Sequence, residues 1–229
     1  MTFGFGSMKG PVLVIAPHPD DEVLGAGGTM ARLASEGREV HVCIVTSGSP
    51  PKYDAAQIER VRSEAKLAND RLGVTDVHWL GFPAAELSET PHADLNAGIA
   101  GLVQSLGPEV VLLPHPGDMH LDHQACFTSS LVASRPHQAT YPPVLMAYET
   151  LSETNWNAPH LTPGFIPSVF VDISETLDAK LDAFALYESQ VRQPPHERSP
   201  EVLRALATLR GATVHRNACE AFVPVRMVL

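Results

Sequence analysis

Apolar residues along this chain fall into two alternating patterns. Short unbroken runs, PVLVIA (11–16), EVHVCIVTSG (39–48), VTDVHWLGF (74–82) and EVVLLP (109–114), read as strands of a covered sheet. Helical periods lie between them. EVLGAGGTMARLASEG (22–37) stops at Gly37. DAAQIERVRSEAKLANDRLG (54–73) repeats Ile58, Val61, Ala65, Ala68 and Leu72 every three or four residues before Gly73, and ADLNAGIAGLVQSLG (93–107) follows. The later half adds strands in PPVLMAYE (142–149) and PSVFVDI (167–173), a helix in ETLDAKLDAFALYESQ (175–190) and a last helix in PEVLRALATLRG (200–211). Other residues of 134–165, rich in Pro, His and Asn, read as ordered loop. This alternation predicts an α/β, Rossmann-like three-layer fold with a mainly parallel sheet. The 229 residues suit one domain spanning 1–229, with 1–8 a flexible or expression-derived N-terminus and Met8 an alternative native start.

In such a sheet ligands bind outside the carboxyl ends of the strands. Two strand ends carry chemistry: APHPDDE (16–22) after the first run and HPGDMHLDH (115–123) after the fourth. Adjacent ionisable side chains at a core edge repel one another and lose hydration unless a cation holds them. His18, Asp20 and Asp21 from the first loop, with His120, Asp122 and His123 from the second, are donor types that zinc prefers. Spacing leaves open which aspartate ligates. The alternative is that these are surface polar residues, with Asp20 or Asp122 capping a helix.

Composition narrows the field. Sixteen Lys and Arg against 26 Asp and Glu give a net charge of −10 with no basic run, which excludes a phosphate-backbone binder of nucleic acid. Three unclustered cysteines, Cys43, Cys126 and Cys219, read as buried reduced thiols, and no signal peptide or membrane span is apparent, so a cytoplasmic protein is expected. GAGG (25–28) lacks the spacing of a dinucleotide loop and follows an acidic cluster, so it reads as close packing of a helix on the sheet. A G-x-S-x-G elbow is missing, which weakens a serine hydrolase reading. His41 and His78 read as satisfied or exposed strand residues, His115 as structural, and Asp118 as a residue of the site's entrance.

With PHPDDEVLGAGGTMARLASEG, RSEAKLANDRLGV, DMHLDHQA, FVDISETLDAKLDAFALYESQ and the tail RG…CEAF on the page, the chain resembles the PIG-L/LmbE-like family of zinc-dependent N-acetylglucosamine deacetylases over nearly its whole length. The resemblance implies that His18, Asp21 and His123 bind the metal, Zn2+ or Fe2+, with a water completing the site. It implies Asp20 as the general base, His120 as a protonated stabiliser of the oxyanion that donates to the leaving amine, and Asp122 as the group orienting His120. The implied substrate is a small N-acetylated amino sugar or its conjugate, its carrier chosen by loops 49–56, 84–92 and 134–165. The family's arginine three residues before the glutamate aligned with Glu64 is Val61 here, between Arg60 and Arg62. Arg62 is the candidate substrate contact, with a solvated helix face as the alternative. Cys219 replaces the alanine before the tail glutamate, a packing change.

Two other functions fit the same residues. A non-haem Fe(II) oxygenase uses two His and one carboxylate, though on an all-β jelly roll. A non-catalytic metal-binding module needs the ligands but neither Asp20 nor His120. A homo-oligomer is compatible with the sequence.

Overall fold

The computed structural model describes residues 8–228. The elements are β1 (Val12–Ala16), α1 (Asp21–Ser35), β2 (Val40–Ser47), α2 (Ala55–Leu72), β3 (Asp76–Pro83), α3 (His92–Leu106), β4 (Val110–Pro114), α4 (Leu121–Ala133), β5 (Val144–Tyr148), β6 (Val169–Asp172), α5 (Leu177–Ala185), α6 (Pro200–Thr213) and β7 (Cys219–Met227). One seven-stranded sheet runs β3-β2-β1-β4-β5-β7-β6. The first five strands in that order are parallel; β7 is antiparallel to both β5 and β6. The α/β expectation holds.

Alternation along the central strands divides the core. Val12, Val14, Val42, Ile44 and Met146 face one layer, with residues of α1, α2, α5 and α6. Leu13, Ile15, Cys43, Val45, Val111 and Leu113 face the other, with α3 and α4. Each central strand is therefore coated twice, which is why its sequence shows a run rather than alternation.

Strand order reverses between β1 and β4, and the loops leaving these two strands meet at that switch point. They are the loops that carry PHPDDE and DMHLDH.

Helix α1 lies close over the sheet because of GAGG. A Cβ on Gly25 would overlap the Tyr148 ring, and one on Gly28 would come within 2.7 Å of Ile173. Tyr148 is fully buried and its hydroxyl donates to the Ile15 carbonyl at 2.7 Å, so the ring has nowhere to retreat. Gly25→Ala is expected to lower stability by at least about 2 kcal/mol. Urea unfolding checks this; a wild-type midpoint would mean that α1 can lift from the sheet.

Strand β7 is absent from the sequence reading. Pro224 argues against a central strand because it cannot donate to a ladder. The sheet accommodates it at a local irregularity opposite Met146, along a part of β7 that β6 no longer covers, since β6 pairs only with Cys219–Phe222. Helix α4 runs to Ala133, and α5 ends at Ala185 rather than continuing to 190. All three cysteines are free and buried. His41 and His78 satisfy each other, Nδ1 to Nε2 at 3.2 Å. The proposed N-terminal segment lies outside the described residues but for Met8, which packs partly buried against the core.

Candidate active site

The turn after β1 explains four acids and bases in so short a stretch. His18 N–H donates to Asp21 Oδ2 at 2.9 Å, closing the turn. Glu22 takes no part in the cleft. It is fully buried and accepts from the Tyr187 hydroxyl at 2.5 Å, the Asn69 amide at 3.0 Å and the Asp20 N–H at 3.1 Å. Between them Asp20 has φ 114°, a left-handed conformation that Asp tolerates better than most residues. That turn sends neighbouring carboxylates to different places. Asp21 goes to the histidines, whereas Asp20 lines the cleft and accepts from Arg198 Nη1 at 3.0 Å.

Asp21 Oδ2 stands 3.2 Å from His18 Nδ1 and 3.2 Å from His123 Nε2. The three ligand atoms lie within 4.8 Å of one another. Each imidazole is anchored at its far nitrogen. His18 Nε2 meets Asp122 Oδ2 at 3.0 Å, and His123 Nδ1 meets Asp118 Oδ2 at 2.8 Å. A carboxylate at one ring nitrogen keeps the proton there and leaves the other nitrogen's lone pair free to ligate. His123 Nε2 is buried without a hydrogen-bond partner: the distance to Asp21 is short but the alignment is wrong. Two imidazoles and a carboxylate around such a nitrogen are the donor set of a divalent cation, so these residues fit one.

Asp118 and Asp122 both depart from expectation. Asp118 is fully buried rather than at the entrance; it orients His123 and accepts from Thr154 Oγ1 at 2.6 Å. The Asp122 carboxylate does not orient His120 as the resemblance implies. It is committed to His18 and to the N–H groups of Ala85 (2.7 Å) and Leu87 (3.0 Å), and reaches His120 only through its own backbone N–H, which donates to His120 Nδ1 at 3.1 Å. With Nδ1 accepting, the His120 proton sits on Nε2. Burial and the neighbouring His18 also hold its pKa below the ordinary 6.5. In the ion-free structure His120 is thus neutral, unlike the protonated group that the resemblance implies.

Charge in the cluster is tightly ordered. Burial opposes protonation of His18, but Asp122 and Asp21 outweigh it and raise the pKa to about 9. Burial likewise opposes protonation of His123, yet Asp21 and Asp118 lift it to about 10. Burial works to raise Asp21, which the two histidines hold well below the carboxylate range. Burial raises Asp20 to about 7 against the pull of Arg198. In the ion-free protein two imidazolium protons therefore do the cation's work. Their stabilisation is complete below the ordinary 6.5 and is lost as pH rises through about 9 and about 10. A divalent ion must displace both, so its affinity is expected to rise with pH, with up to two protons released per ion bound at pH 7. Indicator-dye titration of the stripped protein measures this; release of none would remove His18 and His123 from the ligand set.

Arg198 and Glu153 line the same cleft and escape the sequence reading, because they come from loops with no motif of their own; Gln190, the last residue of FVDISETLDAKLDAFALYESQ, lines it too. Arg62 and Val61 also line it, the Arg62 guanidinium lying 4.6 Å over the Trp79 ring. Arg60 lines it as well and pairs with Glu64 at 2.9 Å.

The fold and cluster define a class: an α/β protein presenting, at a sheet's switch point, a His–Asp–His cluster that could hold a metal ion. The chain belongs to the PIG-L family, whose model, described as GlcNAc-PI de-N-acetylase, matches residues 13–134. It is 28% identical to the diacetylchitobiose deacetylase of Thermococcus kodakarensis, an alignment covering 93% of this chain and 83% of that protein. Among solved structures it resembles the conserved protein TT1542 of Thermus thermophilus, with TM-score 0.77 and 29% identity over 95% of this chain and 96% of that one. GalB, the 4-carboxy-2-hydroxymuconate hydratase of Pseudomonas putida, shares the fold at TM-score 0.73 and 21% identity, covering 96% and 98% of the two chains. A fold that also carries a hydratase leaves the reaction to be argued from the site. Among the described residues no helix is long and apolar enough to cross a membrane.

Proposed function

We propose that the protein is a metal-dependent amidohydrolase that removes acetyl from an N-acetylated amino sugar of the N-acetylglucosamine type, or from its conjugate. His18, Asp21 and His123 hold the ion, Zn2+ by donor preference and Fe2+ as the alternative the same set admits. The observation that carries the reading is the partnerless His123 Nε2 beside Asp21, with Asp20 next in the chain yet turned into the cleft. When bound, the ion supplies Lewis acidity for the amide carbonyl and acidifies water at neutral pH.

The chain's own groups divide the remaining steps. Asp20 accepts the proton of the attacking water at Oδ1 or Oδ2, while Arg198 fixes its position. His120 Nε2–H donates to the carbonyl oxygen as negative charge develops there. The carbonyl gains its bond to the water oxygen and loses its bond to nitrogen. Asp20 returns the proton to that nitrogen, and acetate and the free amine leave. Asp122 and Asp118 act through the histidines they orient. Arg62, which lines the cleft, contacts the substrate. A mainly parallel α/β sheet does not support the oxygenase reading, whose scaffold is all β.

Metal analysis coupled to acetate and amine release across N-acetyl sugars tests the reading. Chelation should abolish release and the divalent ion restore it; a loaded protein inert toward every N-acetyl sugar would overturn it. His120→Ala is expected to slow hydrolysis by about 10²–10³-fold with near-normal metal content. An unchanged rate would take His120 out of the reaction.

A further inference from the structure

Glu153 has no part in the hydrolysis described above, yet it lines the cleft with Asp20, His120 and Arg198. The residue is only 8% exposed, and its Oε2 is buried without a hydrogen-bond partner among the described residues. Its Oε1 stands 3.9 Å from Arg198 Nη2, too far for a hydrogen bond. Arg198 is committed elsewhere, through Nη1 to Asp20 at 3.0 Å and Gln190 at 3.1 Å, and through Nε to Ser152 at 3.0 Å. Burial lifts the Glu153 pKa above the usual 4.5, and the charges of His123 and Arg198 offset only part of that.

The backbone holds the residue in this position. Ser152, just before it, has φ 72°, a left-handed conformation that a serine adopts under constraint. The Ser152 N–H donates to Asn155 Oδ1 at 2.7 Å, and the Glu153 N–H donates to the Thr150 carbonyl at 3.1 Å. Thr154, next in the chain, is bound to Asp118, which orients His123. A buried carboxylate that accepts nothing from its own protein weakens the fold. Placed in the wall of a reacting cleft, it suits a donor that arrives with the substrate. Besides its amide N–H, an N-acetyl amino sugar offers hydroxyl donors.

Resting on the deacetylase reading above, we propose that Glu153 is a specificity-determining residue whose carboxylate accepts a hydrogen bond from a hydroxyl of the amino sugar.

Acetate release by the metal-loaded wild type, Glu153→Ala and Glu153→Gln is compared on N-acetylglucosamine and its 1-, 3-, 4- and 6-deoxy analogues. For the wild type, one deoxy analogue is expected to lose about 10- to 100-fold in kcat/KM, mainly through KM. Glu153→Ala should raise KM for the parent sugar by about the same factor, with kcat little changed, and should no longer distinguish that analogue from the parent. Glu153→Gln keeps an acceptor oxygen and should lose less. Both variants should unfold in urea at or above the wild-type midpoint, because each removes a buried charge that no donor satisfies. Equal kcat/KM for all five sugars in the wild type would overturn the proposal and leave the deacetylase standing. A deoxy penalty that survives in Glu153→Ala would overturn it too. Acetate from none of the sugars would overturn the deacetylase, and calorimetric titration of the same proteins with glucosamine and its deoxy analogues then reads Glu153 alone. Tighter binding of glucosamine than of one analogue, lost in Glu153→Ala, would support the proposal; equal binding by the wild type would overturn it.

Discussion

Asp20→Asn is expected to keep its full complement of metal while hydrolysing N-acetyl sugars about 10³-fold more slowly; His18→Ala and His123→Ala should lose the metal as well. The difference follows from the left-handed turn at Asp20, φ 114°. Two adjacent carboxylates would ordinarily compete for one ion. Here Asp21 is held between the imidazoles, while Asp20 is held by Arg198 on the cleft side. Burial raises Asp20 to about 7, so it can take up and return a proton near neutrality. The asparagine keeps a partner for Arg198, so a rate loss cannot be assigned to an unpaired guanidinium. Metal content by plasma emission, beside the rate, decides the matter. Equal loss of metal in Asp20→Asn would place Asp20 among the ligands and leave the reaction without its base.

What can be read before folding depends on how local the cause is. A buried parallel strand announces itself as an apolar run, so β1, β2 and β4 are legible, and with them the two loops that meet at the switch point. The ligand-bearing motifs are legible for the same reason: each sits within a few residues of a strand end. The orienting groups are harder. Asp118 has a partner five residues away, but nothing local distinguishes a buried carboxylate from one at an entrance. Asp122 invites assignment to its sequence neighbour His120, whereas folding gives it His18, 104 positions away. Arg198 meets Asp20 across 178 positions, which no spacing could suggest. Strand β7 is hidden by a proline that the end of β6 makes tolerable.

Lys180→Met is expected to lower stability by about 3–5 kcal/mol, far from the cleft and without changing its chemistry. Lys180 and Glu220 are both buried, joined Nζ to Oε1 at 2.6 Å. They grip the middle of α1: Nζ donates to the Leu24 carbonyl at 2.8 Å, and the carboxylate accepts the N–H groups of Gly28 (2.9 Å) and Thr29 (2.7 Å). Removing the ammonium strands a charge against those amides in the core. Lys180→Met with Glu220→Gln should recover part of the loss, because the amide oxygen still accepts from α1 and no charge is left alone. Denaturant unfolding of both singles and the double gives the coupling. Additive losses would mean that the two groups act independently. A strong coupling would explain why a tail glutamate, distant in sequence from either loop, belongs with the motifs of the site: it holds α1 on the sheet, and the turn that opens α1 carries His18, Asp20 and Asp21.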